Sequence, residues 1–267
     1  MMNENYKAIL CEISENIATI TLNRPDVLNA LNETMGRELL EALKIAGQND
    51  DVRCLIITGK GRAFCAGEVI QELRGQYERG EKPRLGERLR HKYNPIIRRI
   101  RQTPKPIIAA INGTAAGGGA GIAYACDIRI AAENAKFIQA FIRIGLAPDP
   151  GTAFFLPRLV GFAKASELCL TGEELTSKDA ERLGLVAKVV PSDQLLPITR
   201  EIATRMAEGP TKAMGLTKRA FNKSIVSDLE GVMEYESYLQ EIAGATSDHP
   251  EAVRAFFEKR KPVFLGR

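Results

Sequence analysis

The chain has 267 residues, of which 45% are hydrophobic and 26% charged, with a formal charge of +4. That is ordinary globular composition, long enough to bury a core without staples, and its mild charge admits an anionic ligand without arguing for nucleic acid. Five cysteines (Cys11, Cys54, Cys65, Cys126, Cys169) are odd in number, widely spaced and lack metal-ligand spacing, so they read as reduced, buried thiols of a cytoplasmic protein.

The N-terminal stretch MMNENYKAIL has no apolar h-region of a signal peptide, and no apolar run approaches a membrane span. Residues 6–12 and 17–22 read as strands with a turn at Ser14-Glu15-Asn16. Residues 32–46 carry Met35, Leu39, Leu40 and Leu43 at helical spacing. CLIITG, 54–59, is a continuous apolar run ending in glycine, as expected of a strand buried on both faces. KPIIAAING (105–113) and DIRIAA (127–132) repeat the pattern, and LGLVAKVVP (183–191) predicts a last short strand. Helical segments between these strands predict an α/β fold of ββα-like units. Residues 75–92 predict a surface loop leading into a basic helix. From 195 onward the strand signal ends; 195–207, 211–223, 228–243 and 249–258 predict helices.

Three junctions could build one site. AAGGGAGIAYACD (115–127) spends four glycines at the start of an apolar helix, each costing about 1 kcal/mol against alanine in a helix interior. Close packing is one reason for them; a backbone that must approach a ligand is the other. FCAGE (64–68) opens a second helix after another buried strand. Two such junctions on adjacent strands can aim two N–H donors at one oxygen, an oxyanion hole. In the third, FIQAFIRIGLAPDPGTAFFLPRLVG (137–161), Asp149 stands between two prolines, either as a helix cap or as a catalytic carboxylate.

At these residues the chain closely resembles the crotonase superfamily, the enoyl-CoA hydratase/isomerase family. The matching stretches are NRPDVLNAL (23–31), GRAFCAGE (61–68), KPIIAAINGTAAGGG (105–119), CDIRIAAENAKF (126–137), GLAPDPG (145–151) and LTSKDAERLGLVAKVV (175–190). The resemblance implies a spiral of ββα units over 1–194 that holds the CoA and acyl site. It also implies a helical region, 195–267, used for trimerisation, and an acyl-CoA thioester substrate. It assigns the oxyanion donors to the backbone N–H groups of Glu68 and Gly118, with coenzyme A as part of the substrate and no separate cofactor or metal. Hydratases of the family use two glutamates; Gly121 and Phe141 stand in their places here. Asp149 matches the acidic position of family isomerases. The stretches YNPIIRRIRQTPKPIIAAING and AKFIQAFIRIGLAPD look most like the phenylacetate-pathway isomerases that act on a ring-epoxide CoA thioester. The expected activity is therefore acyl-CoA isomerisation with Asp149 as proton shuttle; the alternatives are an enoyl-CoA hydratase or an acyl-CoA hydrolase. Two departures, Val69 and Thr152-Ala153, fall where many members carry an aspartate and a Gly-Thr pair.

Other residues keep two readings. Arg24 pairs with a CoA phosphate or is a surface arginine. Val27, Leu28 and Ala66 line the CoA path, with Phe141 in the acyl pocket, or are ordinary core. The Glu68 side chain is a second acid or base, or a solvated or capping group. His91 and His249 read as surface residues. Segment 84–105 holds eight lysines and arginines against one acid, Glu87, so an RNA-binding crotonase relative is the non-enzyme rival. Only Tyr93 could stack a base there, whereas stacking platforms use several aromatics, so a basic helix near the CoA phosphates or a solvated face is expected instead. The expected assembly is a homotrimer or hexamer, with no nucleic acid and no membrane.

Overall fold

The computed structural model describes residues 6–266. Glu15 and Asn16, at φ 51° and 61°, close a hairpin of β1 (Ile9–Ser14) and β2 (Ile17–Leu22). That is the backbone a two-residue turn between twisted strands requires. Asn32 caps α1 (Glu33–Gln48), its side chain accepting the Met35 N–H at 2.9 Å. Met35, Leu39, Leu43 and Ala46 form the buried face of α1.

A unit of long strand, three-residue strand and helix then recurs. The first is β3 (Cys54–Gly59), β4 (Ala63–Cys65) and α2 (Ile70–Glu78). Two helices, α3 (Leu85–Arg88) and α4 (Asn94–Gln102), lead to the second unit: β5 (Ile107–Ile111), β6 (Thr114–Ala116) and α5 (Gly118–Ala125). The third is β7 (Ile128–Ala132), β8 (Lys136–Ile138) and α6 (Thr152–Val160). After it come α7 (Phe162–Thr171), β9 (Glu174–Thr176), α8 (Ser177–Arg182) and β10 (Lys188–Val190). Helices α9 (Leu195–Ala207), α10 (Thr211–Ser224), α11 (Leu229–Gly244) and α12 (Asp248–Glu258) complete the chain.

Among the described residues the five long strands and β10 make one sheet, β1-β2-β3-β5-β7-β10, parallel from β2 onward. The short strands make a second, β4-β6-β8-β9. The long strands alternate between two cores. Ile20, Leu55, Ile57, Ile107 and Ala109 face α1, α4 and α5. Ile17, Cys54, Ile56, Ile108 and Ala110 face Leu195, Ala203 and Ala207 of α9. Both faces are covered, which is why these strands read as unbroken apolar runs. It also means that α9, the first helix of segment 195–267, shares a core with the strands before it.

Several expectations shift. The 75–92 stretch is mostly helix, and only 79–84 between α2 and α3 is loop. The last strand pairs with β7 only over Lys188–Val190, with Leu185 and Val186 buried in the turn before it. No disulfide joins the cysteines; Cys54, Cys65 and Cys126 are buried, while Cys11 and Cys169 are partly exposed. Among the described residues no helix is long and apolar enough to cross a membrane.

Candidate active site

Because β4, β6 and β8 lie side by side and parallel, the segments leaving their C-terminal ends open next to one another. Those segments are 66–69, 117 and 139–151. Together with α2, α3 and the turn after it they enclose a cavity of about 460 Å³. Its polar lining is Glu68, Arg88, Tyr93, Arg143, Asp149 and the backbone of Gly67, Gly117 and Gly118. Leu73, Leu89, Phe141, Ile144 and Leu146 make it largely apolar.

The glycine run serves both purposes raised by the sequence. Gly117 has φ 50° and caps α5 without a side chain. A Cβ on Gly119 would collide with the Cys65 backbone, so α5 starts hard against β4. Gly118, as the first residue of α5, has no partner for its N–H within the helix. A Cβ on Gly67 would lie 3.4 Å from the Gly118 nitrogen, so the peptide leading into Glu68 reaches the start of α5. No backbone carbonyl among the described residues accepts from the N–H of Glu68 or Gly118. Two open amides from adjacent junctions therefore meet at the cavity.

The Glu68 carboxylate is neither a cap nor a solvated group. Lys92 Nζ donates to its Oε1 at 2.8 Å and the Tyr93 hydroxyl donates to its Oε2 at 2.8 Å. Arg88 Nη2 stands 3.6 Å from Oε1. Lys92 is buried and also donates to the Leu31 carbonyl at 3.1 Å. Lys92 and Tyr93 both reach that carboxylate from a π-helical turn at Leu89–Tyr93. The Asn94 N–H reaches back to the Leu89 carbonyl. Pro95 follows, and its ring neither donates to nor fits against the carbonyl of His91. Burial, then the negative charge of Glu68, pushes the Tyr93 hydroxyl well above the usual tyrosine value, so it stays a proton donor.

Asp149 is not a cap: α6 starts after Gly151, at φ 75°, with no side-chain cap bond. Thr152 Oγ1 donates to the Asp149 carbonyl at 2.8 Å, fixing the turn. Burial first, and the charge of Glu68 second, raise the Asp149 carboxyl to about 6. Phe141 is buried, with its ring beside Gly117. At Gly121 a Cβ would lie 2.8 Å from Pro150 Cδ and 2.9 Å from its carbonyl oxygen. The space a side chain at Gly121 would need is thus filled by the Asp149 loop itself.

Arg24, Val27 and Leu28 lie outside the cavity lining, on the loop beside it. Arg24 Nη1 donates to the Ala30 carbonyl at 2.5 Å, so this guanidinium is partly engaged within its own loop. The Leu28 carbonyl accepts from the N–H of Ala66 at 3.0 Å, which joins that loop to the cavity rim. His91 and His249 are exposed. The basic segment is not simply a solvated face: Lys92 and Lys105 are buried, Arg88 lines the cavity and Arg101 pairs with Asp127 at 3.0 Å. Tyr93 is 3% exposed, so its ring is no platform for an incoming base. Among the described residues no group of three or more His, Cys, Asp or Glu side chains stands close enough to hold a metal.

Short strands that carry three helix starts to one side of a parallel sheet, with two open amides and a carboxyl in one cavity, define a crotonase-type spiral. Residues 12–267 match the family model described as enoyl-CoA hydratase/isomerase, and the chain belongs to that family. It is 40% identical over 259 residues to the 1,2-epoxyphenylacetyl-CoA isomerase of Escherichia coli strain K12, covering 97% of this chain and 98% of the relative. It is 41% identical over 263 residues to a "Probable enoyl-CoA hydratase" of Rhodobacter capsulatus, covering 98% and 100%. The crystal structure of an enoyl-CoA hydratase from Bacillus anthracis superposes with a TM-score of 0.89 at 34% identity, covering 98% of this chain and all of that one.

Proposed function

We propose that the chain is an acyl-CoA isomerase that moves a proton within a thioester-bound acyl group. The observation that carries this is Asp149, a carboxyl raised to about 6 that faces the same cavity as two open amides. On this reading the thioester oxygen sits on the N–H groups of Glu68 and Gly118. The acyl group lies against Leu73, Leu89, Phe141 and Leu146, and the CoA chain leaves past Ala66, Leu28 and Val27. Arg24 serves a CoA phosphate.

Asp149, as the carboxylate, takes a proton from the carbon next to the carbonyl or from its vinylogous position. The electron pair moves onto the thioester oxygen, where the two amides stabilise the enolate. The Asp149 carboxyl then returns the proton at the other end of the allylic system. No electrons leave the substrate, so the step asks for no redox cofactor, and coenzyme A is part of the substrate. Hydration is disfavoured because holding a water takes two carboxylates. Glu68 is already bound on both oxygens, and Gly121 and Phe141 supply none. The epoxyphenylacetyl-CoA relative points to a ring-bearing acyl group as the first to try. Cysteines without a disulfide suit a reducing, cytoplasmic compartment.

The test is a panel of enoyl-CoA and ring-bearing CoA thioesters, followed by chromatography and mass spectrometry. The expected product elutes differently at unchanged mass. Rapid gain of one water on crotonyl-CoA would replace this reading with the hydratase one, and release of free CoA would replace it with the hydrolase one.

A further inference from the structure

Resting on the oxyanion reading above, we infer that Tyr93 is a positioning residue that aligns both backbone donors at once, its ring bearing on Gly118 and its hydroxyl on Glu68. The evidence is geometric. A Cβ on Gly118 would lie 2.9 Å from Tyr93 Cε1, so the ring rests directly on the start of α5. At the other edge of the same ring the hydroxyl holds Glu68 Oε2 at 2.8 Å. Glu68 and Gly118 belong to different ββα units, and Tyr93 touches both. Its own place is set from a third element, the π-helical turn at Leu89–Tyr93. Lys92 in the same turn holds the other oxygen of Glu68 at 2.8 Å, so that carboxylate is pinned from two sides. Tyr93 is buried at 3% exposure, and turning it away would release Glu68 and uncover Gly118 together. A donor pair works only if both N–H groups point to the developing oxyanion, and displacements well under an ångström weaken them.

The probe is ¹³C-carbonyl cinnamoyl-CoA, a conjugated thioester with no γ-hydrogen to shift. Its carbonyl stretch in the infrared reports how strongly the bound oxygen is polarised. In the wild-type protein binding should lower that frequency. Tyr93→Phe keeps the ring and deletes the tie. It should lose more than about half of the lowering, cut kcat about tenfold or more, and leave KM within about threefold, the split expected when the transition state loses more support than the ground state. Glu68→Gln can still accept from Tyr93 and should keep most of the lowering. Full lowering in Tyr93→Phe would overturn the role of Tyr93 while leaving the proposed function intact. Equal losses in Tyr93→Phe and Glu68→Gln would assign the effect to charge and overturn the tie. No lowering in the wild type would overturn the oxyanion reading and this inference with it. If Tyr93→Phe does not fold, Glu68→Ala cuts the same tie from the other end; loss of the lowering in Glu68→Ala with Glu68→Gln unchanged supports the inference, and full lowering in Glu68→Ala or equal loss in both overturns it.

Discussion

Asp149 carries two effects of opposite sign. Its folded-state carboxyl is raised to about 6 from an ordinary value near 3.8, first by burial and second by Glu68. The native state therefore holds a proton more tightly than the unfolded chain does. Stability is highest below the ordinary value, falls as pH rises through about 6, and carries the full penalty above that. Asp149→Asn should accordingly raise the melting temperature at pH 7 to 8, and the gain should shrink as the pH is lowered below 6. The same change should cut turnover about 10²–10⁴-fold, the usual share of general acid–base catalysis. In the wild type kcat/KM should fall about tenfold per pH unit below about 6, as the base becomes protonated. Melting curves and rates across pH 5 to 8 check all three; an Asn variant of normal turnover would remove Asp149 from the chemistry. The sequence showed Asp149 as a carboxyl fixed between prolines but left cap and catalyst open, because capping depends on where α6 begins. Lys92 and Tyr93 were not legible as site residues at all. Their contact with Glu68 spans 24 and 25 positions and depends on a π turn that no hydrophobic period announces.

The long strands were readable because burial on both faces leaves an uninterrupted apolar run, whereas β4, β6, β8 and β9 were not. A three-residue strand has too little length to show a period, yet these set the three helix starts side by side. The start of α5 gives the cleanest test of the amide donors. Gly118→Ala and Gly118→Pro both bring a Cβ against the Tyr93 ring, but only proline also deletes the N–H. Proline is tolerated at the first position of a helix, so both variants are expected to fold. The proline variant should turn over about a hundredfold or more slowly than the alanine variant, the usual effect of losing one oxyanion donor. Equal rates would show that Gly118 contributes space and not a hydrogen bond. At the other side of α5, Gly121→Glu restores a hydratase-like residue on paper. Its side chain would start inside Pro150, so it should destabilise the fold by about 1–3 kcal/mol, as overpacking does. Crotonyl-CoA hydration, expected to be slow in the wild type, should not rise. Denaturant titration and a hydration assay on the same preparation check this; a stable variant that gains hydration would show that the Asp149 loop yields easily.

The two sheets and α9 close a core, but α7, α11 and α12 leave large apolar side chains facing outward. Phe162 and Leu170 on α7 are 79% and 72% exposed. Leu229 on α11 is 70% exposed, and Phe256 and Phe257 on α12 are 79% and 78% exposed. The last two pack edge to face with their centroids 5.7 Å apart, so they form one ridge. Scattered exposed apolar residues are ordinary, but two adjacent aromatics forming one exposed ridge on α12 are a surface awaiting cover. Residues 264–266 do not cover it. Arg53 holds the Phe264 carbonyl at 2.9 Å, and Asp248 accepts from the N–H groups of Leu265 and Gly266, which ties the tail back toward the body. We propose that copies of the chain cover this ridge in a homotrimer or a dimer of trimers. Full burial of one phenylalanine contributes about 1.5–3 kcal/mol, so losing a pair at each interface should weaken it by several kcal/mol. Light scattering should give a mass of three or six times the 29.3 kDa chain. Changing Phe256 and Phe257 together to Asp should lower that mass without unfolding the protein, since neither side chain contributes to the core of one copy. A wild-type monomer at micromolar concentration would overturn the assembly. An Asp-Asp variant that stays fully assembled would move the interface elsewhere, with the α7 pair Phe162 and Leu170 as the next surface to change.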